Sequence, residues 1–286
     1  MIDNGHRFQG WLAADLGATQ RWIFNAAPEI PRVSGPDFHE WCQPVVDELC
    51  RGWGVALVRG FDPEDEASFK ECFRAIGRCL GEEETTYGSL YEVKDMGDSH
   101  LEKAIPVSQT KAETSLHTDS SRRDTHPRWV GLACVRQALT GGGSRVSSAV
   151  AVHDYLEEKD PALLHRLKQS FFRDVVTPGV EERAAAIREN AFPVFIDAQD
   201  GPTLRYMRYW IEKGHEQMDQ PLGLMDIQAF DVLDQTLSDP RFCHHFGMQP
   251  GDMLFIDNHK TAHDREAFED DPQAPRLMIR LWLNAV

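Results

Sequence analysis

Cysteine is scarce in this sequence, and no two cysteines form the C-x-x-C pair that marks many zinc and redox sites. The spacing also lacks the dense framework of disulfide-stabilised secreted domains, which argues against export into an oxidising compartment. Several of the cysteines lie on apolar stripes, so we expect buried, reduced thiols that pack as small hydrophobic side chains. The six residues are Cys42, Cys50, Cys72, Cys79, Cys134 and Cys243.

Long apolar runs are also missing. No stretch approaches the roughly 20 residues that a helix needs to cross a bilayer. The first residues, Met1 to Arg7, lack the basic and then apolar pattern of a secretory signal. These two absences predict a soluble, cytoplasmic protein.

Positive charge is the third deficit. The chain has 30 Lys and Arg against 46 Asp and Glu, which gives a formal net charge of −16 and a pI near 5.1. Most of such a surface repels phosphate backbones and anionic headgroups, which argues against nucleic acids and membranes as partners. A small molecule is the expected partner, and the sequence leaves the choice between a monomer and a homo-oligomer open.

The chain has neither a linker rich in Pro, Gly and Ser nor an internal repeat. Its 286 residues, 41% of them hydrophobic, are enough for a sizeable core, and we predict one domain over residues 1–286. Helices come first, then strands, then a helical insertion and again strands, which favours an α+β fold with a β-sandwich core. The apolar periodicity predicts helices near 38–49, 62–81, 149–169 with a break near Asp160-Pro161, and 226–237, and strands at 55–58, 129–135, 253–256 and 277–283.

A His-x-Asp triplet and a distant histidine are the strongest chemical signal. In an extended backbone, His117 and Asp119 share one face while Thr118 points away, and His263 follows a second apolar strand. Two imidazoles and one carboxylate on one side of a metal form the ligand set of non-haem Fe(II) oxygenases. Two alternatives stay open: a hydrogen-bonded surface pair, and a zinc site, although His259 and His263 lack the Glu of a zinc protease motif.

The strand near the carboxyl end has two arginines on one face. A period of two places Arg276, Met278, Arg280 and Trp282 together, with leucines and an isoleucine on the other face. A buried guanidinium needs an anionic partner. That partner is either a bound carboxylate or one of the many acidic side chains of the chain itself.

These motifs, together with the Gly141-Gly142-Gly143-Ser144 turn, resemble the Fe(II)/2-oxoglutarate-dependent oxygenases of the taurine dioxygenase (TauD/TfdA) and clavaminate synthase-like superfamily. The resemblance covers roughly residue 109 to the carboxyl end. It implies a double-stranded β-helix, or distorted jelly roll, with flanking helices and a helical insertion. It also implies that Fe(II), 2-oxoglutarate and O2 are used to oxidise an unactivated C–H bond, most simply by hydroxylation, with release of succinate and CO2.

Individual roles follow from the same resemblance. His117, Asp119 and His263 correspond to the catalytic iron ligands, and the presence of Asp119 favours oxygenation over halogenation. Arg276 corresponds to the residue that binds the far carboxylate of 2-oxoglutarate, and Ser144 to a hydroxyl that assists there. We expect a free or modified amino acid as substrate. The candidate substrate-binding residues are Arg280, Arg205 and Gln109, with 204–210 as a pocket-lining strand.

Three questions stay open at this stage. Residues 178–190, rich in Glu, Arg and Ala, form either a lid over the substrate or an ordinary exposed helix. A noncatalytic protein that binds metal and senses 2-oxoglutarate is one rival function. A zinc-dependent hydrolase is the other.

Overall fold

The computed structural model describes residues 8–26, 33, 35–86, 88–95, 97, 110–174 and 183–285. Within them lie a seven-stranded sheet, a three-stranded sheet, three two-stranded pairs and eight helices. The strands are β1 (Ile23–Asn25), β2 (Val55–Arg59), β3 (Gly81–Glu83), β4 (Tyr91–Val93), β5 (Trp129–Arg136), β6 (Thr140–Gly141), β7 (Ser144–Ser148), β8 (Ser170–Phe171), β9 (Phe192–Pro193), β10 (Phe195–Ala198), β11 (Gly201–Leu204), β12 (Cys243–Phe246), β13 (Met253–Asp257), β14 (Thr261–Arg265), β15 (Phe268–Glu269) and β16 (Leu277–Ala285). The helices are α1 (Ala13–Thr19), α2 (Pro36–Arg51), α3 (Glu66–Arg78), α4 (Ala149–Lys159), α5 (Pro161–Leu167), α6 (Arg183–Glu189), α7 (Arg208–Gln217) and α8 (Leu224–Leu237).

The larger sheet has the strand order β1-β2-β13-β5-β16-β3, and β4 pairs with β16 as a seventh strand. Its central strands are almost entirely apolar because both of their faces are covered. Met253 and Phe255 of β13 pack in the core beneath α2 and α3. Leu254 and Ile256 point the other way, into a second core that contains Val146 of β7. The alternation along one strand therefore supplies two cores.

The smaller sheet has the order β12-β7-β14, with both pairs antiparallel. Val146 lies opposite His263 in this sheet. Helices α4, α5 and α8 pack into a third core beside it, with Leu156, Leu163 and Phe230 among its buried residues. The helical insertion between β7 and β12 thus stabilises the sheet that carries His263.

The turn from β13 to β14 takes the chain from the larger sheet to the smaller one. Asn258, fully buried in this turn, accepts a hydrogen bond from the backbone N–H of Asp119 at 2.7 Å. Its amide nitrogen donates to the carbonyls of Asp119 at 3.1 Å and Pro127 at 3.0 Å. One side chain therefore fixes the backbone of the His-x-Asp triplet against the strand pair that leads to His263.

Most of the elements predicted from the sequence are confirmed, including the helix break at Asp160, whose carboxylate caps α5 by accepting from Leu163 N. Pro44 lies inside α2 without ending it. A proline costs a helix about 3 kcal/mol, and burial of Phe38, Cys42 and Leu49 on the same helix offsets that cost. No helix of the described residues is both long and apolar enough to cross a membrane.

Two local predictions are wrong. With Pro63 and acidic residues directly after it, Asp62 is the predicted N-cap of this helix, but the N-cap of α3 is Asp65, which accepts from Ser68 N at 3.2 Å. Asp62 instead accepts from Glu64 N in the preceding turn. Aspartates three residues apart offer the same cap chemistry, and the sequence alone does not decide between them. Residues 204–210 are not a strand, because β11 ends at Leu204 and α7 begins at Arg208.

Replacing Gly251 by Ala should lower the free energy of unfolding by about 3 kcal/mol or more. Gly251 has φ +91°, and an added Cβ would lie 2.1 Å from the carbonyl oxygen of Phe61. The cost combines a left-handed backbone, worth about 1–2 kcal/mol, with overpacking, worth about 1–3 kcal/mol. Chemical denaturation measures it. Gly88→Ala is the control, since φ is +88° there but the added Cβ meets no described atom within 4 Å; equal losses in both variants would contradict the prediction.

Candidate metal centre and substrate cavity

The structure brings His117, Asp119 and His263 together, with one ligand atom of each within 4.8 Å of the others. The backbones of His117 and His263 form an antiparallel bridge, with N–H to carbonyl hydrogen bonds of 3.0 and 2.9 Å. Oδ1 of Asp119 lies 3.6 Å from Nε2 of His117 and 3.7 Å from Nε2 of His263. Thr118 points away and accepts from Tyr206 N, as the alternation predicts.

Both histidines direct Nε2 toward Oδ1 of Asp119. Nδ1 of His117 lies 2.7 Å from the carbonyl oxygen of Ser115. A carbonyl can only accept, so Nδ1 is the nitrogen that donates to Ser115, and Nε2 is the nitrogen that faces Asp119. Burial lowers the pKa of His263, against the opposing effect of Asp119, which favours the neutral imidazole that metals bind.

The second carboxylate oxygen of Asp119 is held by β16. Trp282 donates from Nε1 to Oδ2 at 2.6 Å, and Nη1 of Arg280 lies 3.4 Å from the same oxygen. Burial raises the pKa of Asp119, but Arg280 and the two histidines outweigh burial and bring the pKa well below its usual value. Asp119 is thus an anion with one oxygen, Oδ1, directed at the imidazoles.

Ser120, directly after Asp119, has a left-handed backbone with φ 70°. Its hydroxyl donates to the carbonyl of Thr125 at 2.5 Å, which closes the following turn. A non-glycine residue in this region is uncommon and often marks a functional site. The turn directs residues 120–122 along the wall of the adjoining cavity.

A cavity of about 470 Å³ opens beside the three residues, between β16 on one side and β7 and β14 on the other. Arg276 and Ser144 both line it, as does Arg280. The Arg276 side chain is buried, its Nε donates to Gln137 Oε1 at 3.3 Å, and no carboxylate of the described residues is at ion-pair distance from it. An internal salt bridge, the alternative considered for Arg276, is therefore absent from the part of the chain that the structure describes.

Arg265 reinforces the positive end of this cavity. The guanidinium carbons of Arg265 and Arg276 lie 4.5 and 5.2 Å from the centroid of the Phe268 ring. Burial, together with Arg276, lowers the pKa of Arg265 to about 10, and burial lowers the pKa of Arg276 as well. Two buried cations side by side favour an anionic ligand.

Arg205, predicted to bind the substrate, does not line this cavity. It donates to the carbonyls of Arg122 and Arg123 and stacks on Phe192. Its role is to hold the turn after Asp119. Gln109 lies outside the described residues.

The structure also shows where three other features discussed from the sequence lie: His259, Arg208 and residues 178–190. His259 is not part of the cluster but stacks on His126 at 3.9 Å between ring centroids. Arg208 lines the cavity yet is paired with Glu212, Asp231 and Asp234. Of the segment 178–190, residues 183–189 form α6, and residues 178–182 lie outside the described part of the chain.

Sequence reasoning missed three contributors: Trp282, Arg265 and Asp174. Trp282 lies on the same strand face as Arg276 and Arg280, and the two-residue alternation of this strand was the signal that could have found it. Arg265 lies two residues after His263 in β14, so the same rule places it on the ligand's face. No local pattern distinguishes Asp174.

Comparisons with known proteins place this geometry in context. The family model for the taurine catabolism dioxygenase TauD, TfdA family matches residues 15–282. A uridine-5'-phosphate dioxygenase from a Streptomyces species is 30% identical over 82% of this chain and 86% of its own length. FR-33289 synthase from Streptomyces rubellomurinus is 26% identical over 84% of this chain and 71% of its own length. The crystal structure of an asparagine oxygenase has a TM-score of 0.67 at 16% identity and covers 93% of both chains.

Replacing Trp282 by Phe should weaken metal binding by about tenfold or more, the usual effect of removing a partner of a ligand side chain. The substitution keeps an aromatic ring in place but removes the donor to Asp119 Oδ2. Anaerobic calorimetric titration with Fe(II), or with Co(II) as a probe, measures the affinity.

Trp129→Phe is the matched control for this experiment. Trp129 is fully buried in β5, but its indole nitrogen has no hydrogen-bond partner among the described residues. If both variants bind metal as tightly as the unmodified protein, Trp282 does not position the carboxylate.

Proposed function

The chain belongs to the taurine catabolism dioxygenase TauD/TfdA family, and from this premise we propose that it hydroxylates an unactivated C–H bond of a free or modified amino acid. It is a non-haem dioxygenase that uses Fe(II), 2-oxoglutarate and O2. The observation that carries the proposal is the meeting of two imidazoles and one carboxylate beside a cavity with a buried arginine. The guanidinium of that arginine has no carboxylate at ion-pair distance among the described residues.

We further propose that residues 1–286 form one domain with a double-stranded β-helix core. Support comes from the two sheets that face each other across a shared core and from the antiparallel bridge between His117 and His263 at their edge. The similarity to the asparagine oxygenase fold extends over nearly the whole of both chains. The helices α4, α5 and α8 correspond to the predicted helical insertion.

The donor set fits ferrous iron. His117 and His263 would each contribute Nε2 and Asp119 would contribute Oδ1, a mixture of neutral nitrogen and anionic oxygen donors that suits this ion. When bound, iron and 2-oxoglutarate supply the oxidising chemistry with O2, and 2-oxoglutarate is converted to succinate and CO2. The protein holds one ligand oxygen in place through Trp282 and leaves the side toward the cavity open.

Arg276 and Ser144 would bind the far carboxylate of 2-oxoglutarate. A planar guanidinium can donate two parallel hydrogen bonds to a carboxylate, a geometry that lysine cannot reproduce. The neighbouring charge of Arg265 and the burial of the site strengthen attraction for an anion. Ser144 lies opposite Arg265 in the pairing of β7 with β14, and it lines the same cavity as both arginines.

An amino acid fits the rest of the cavity. Its volume of about 470 Å³ is in the range of small-molecule sites. Arg280 lines the cavity within reach of the Asp119 carboxylate and would bind a substrate carboxylate. Met207, Trp210 and Met278 give the wall an apolar surface that excludes water from the reacting bond. Among proteins of similar fold, one is an asparagine oxygenase and another is a non-haem iron oxygenase in complex with (3S)-hydroxy-L-Arg.

Anaerobic addition of Fe(II) and 2-oxoglutarate should produce a weak visible charge-transfer band, which His263→Ala abolishes. His245→Ala, on the exposed face of β12, is the control and should retain the band. Succinate release stimulated by a member of an amino acid panel would support the substrate class. A band without stimulated turnover would favour the 2-oxoglutarate sensor, and metal binding without a band would favour the zinc hydrolase.

Replacing Arg276 by Met should weaken 2-oxoglutarate binding by about 10- to 100-fold, since hydrogen bonds to charged groups contribute about 1.5–3 kcal/mol. Arg276→Lys should recover only part of the loss. Titration of the charge-transfer band gives the affinity. Arg51→Met removes an exposed arginine that pairs with Asp47 and serves as control; unchanged affinity in Arg276→Met would refute the assignment.

A further inference from the structure

Asp174 is a buried carboxylate on the wall of the substrate cavity. Its side chain is only 2% exposed, and it lines the same cavity as the metal-binding cluster. A carboxylate taken out of water needs a cation or several donors. Among the described residues its ion-pair partner is Arg183, which donates from Nε to Oδ1 at 3.1 Å and from Nη2 to Oδ2.

The backbone holds Asp174 rigidly. Its N–H donates to the carbonyl of Trp210 at 2.9 Å. The preceding residue, Arg173, is buried and donates to four carbonyls, including those of Phe171 and Arg205. The main chain at Asp174 is therefore held in place independently of Arg183, a property that binding sites require.

Arg183 differs from its partner in its surroundings. It is the first residue of α6, and 48% of its side chain is exposed. An exposed guanidinium can exchange a protein carboxylate for water at little cost. Asp174, in contrast, cannot lose its cation without another taking its place. The pair is thus asymmetric: the carboxylate is fixed and the arginine is replaceable.

The other acidic side chains on the cavity wall have different partners. Glu113 and Asp264 both pair with Arg145, which is itself only 17% exposed. Asp119 belongs to the metal-binding cluster. Asp174 is therefore the wall carboxylate whose partner is the most exposed, while Arg280 offers a positive charge on β16. A ligand with one anionic and one cationic group would match this charge distribution.

We propose that Asp174 binds a cationic group of the substrate, an ammonium or guanidinium, and that Arg183 occupies this position until the substrate replaces it. This inference rests on the proposed function and deepens it, because it specifies the charge of the substrate. Two sources of the cation are compatible with the site, the α-ammonium and a charged side chain.

Matched ligand pairs and two variants test the inference. Binding to the Fe(II)–2-oxoglutarate enzyme is followed through perturbation of the visible band. The affinity for L-arginine is compared with that for L-citrulline, which lacks the side-chain cation. The affinity for L-leucine is compared with that for 2-hydroxy-4-methylpentanoate, which lacks the α-ammonium. In the unmodified enzyme the cationic member of at least one pair should bind about tenfold or more tightly, and the pair concerned identifies the source.

Asp174→Asn should abolish that preference, whereas Arg183→Met should preserve or increase it, because it removes only the competitor. Asp47→Asn is the control, since Asp47 is an exposed carboxylate that pairs with Arg51, and neither residue lines the cavity. Equal loss in Asp174→Asn and Arg183→Met, with equal falls in melting temperature, would mean that the pair only fastens α6 and would overturn the inference. So would the absence of any cationic preference in the unmodified enzyme. Absence of the band itself would instead contradict the proposed function.

Discussion

The site depends on one antiparallel contact, the two backbone hydrogen bonds between His117 and His263. These residues come from distant parts of the chain, and their rings lie 4.6 Å apart between centroids because the backbones are joined directly. Asn258 extends the same junction with two hydrogen bonds to the backbone of Asp119 and one to the carbonyl of Pro127. The positions of the ligand atoms are consequently set by main-chain geometry, which is less adaptable than side-chain packing.

Burial of charge is the second constraint. Asp119, Arg276 and Arg265 are all removed from water, and each would be costly without a partner. Asp119 obtains partners from β16 and from the two histidines. The arginines obtain mainly carbonyl, amide and aromatic contacts, so part of their cost is left for a bound anion to offset. The cavity therefore has uncompensated positive charge, which favours anionic ligands.

Much of the fold and the centre of the site could be predicted because the signals are local or periodic. Alternation in 117–119 and 276–282 and the cap at Asp160 need only the chain itself. The failures share a different cause. Strand β7, with the polar sequence Ser-Arg-Val-Ser-Ser, exists because β12 and β14 pair with it on both sides. Arg205 and Trp282 are both polar side chains near the site, and only tertiary structure decides that one holds a loop and the other a ligand.

Trp282 and Arg280, which hold the second oxygen of Asp119, are synthesised long after it. The carboxylate of Asp119 is synthesised 163 residues before the indole that holds its second oxygen. On the ribosome, the triplet emerges first, His263 much later, and the donors of β16 later still. Until that strand inserts between β5 and β3, the anion is solvated and free to rotate. The second oxygen of Asp119 is therefore held only once β16 has joined the larger sheet.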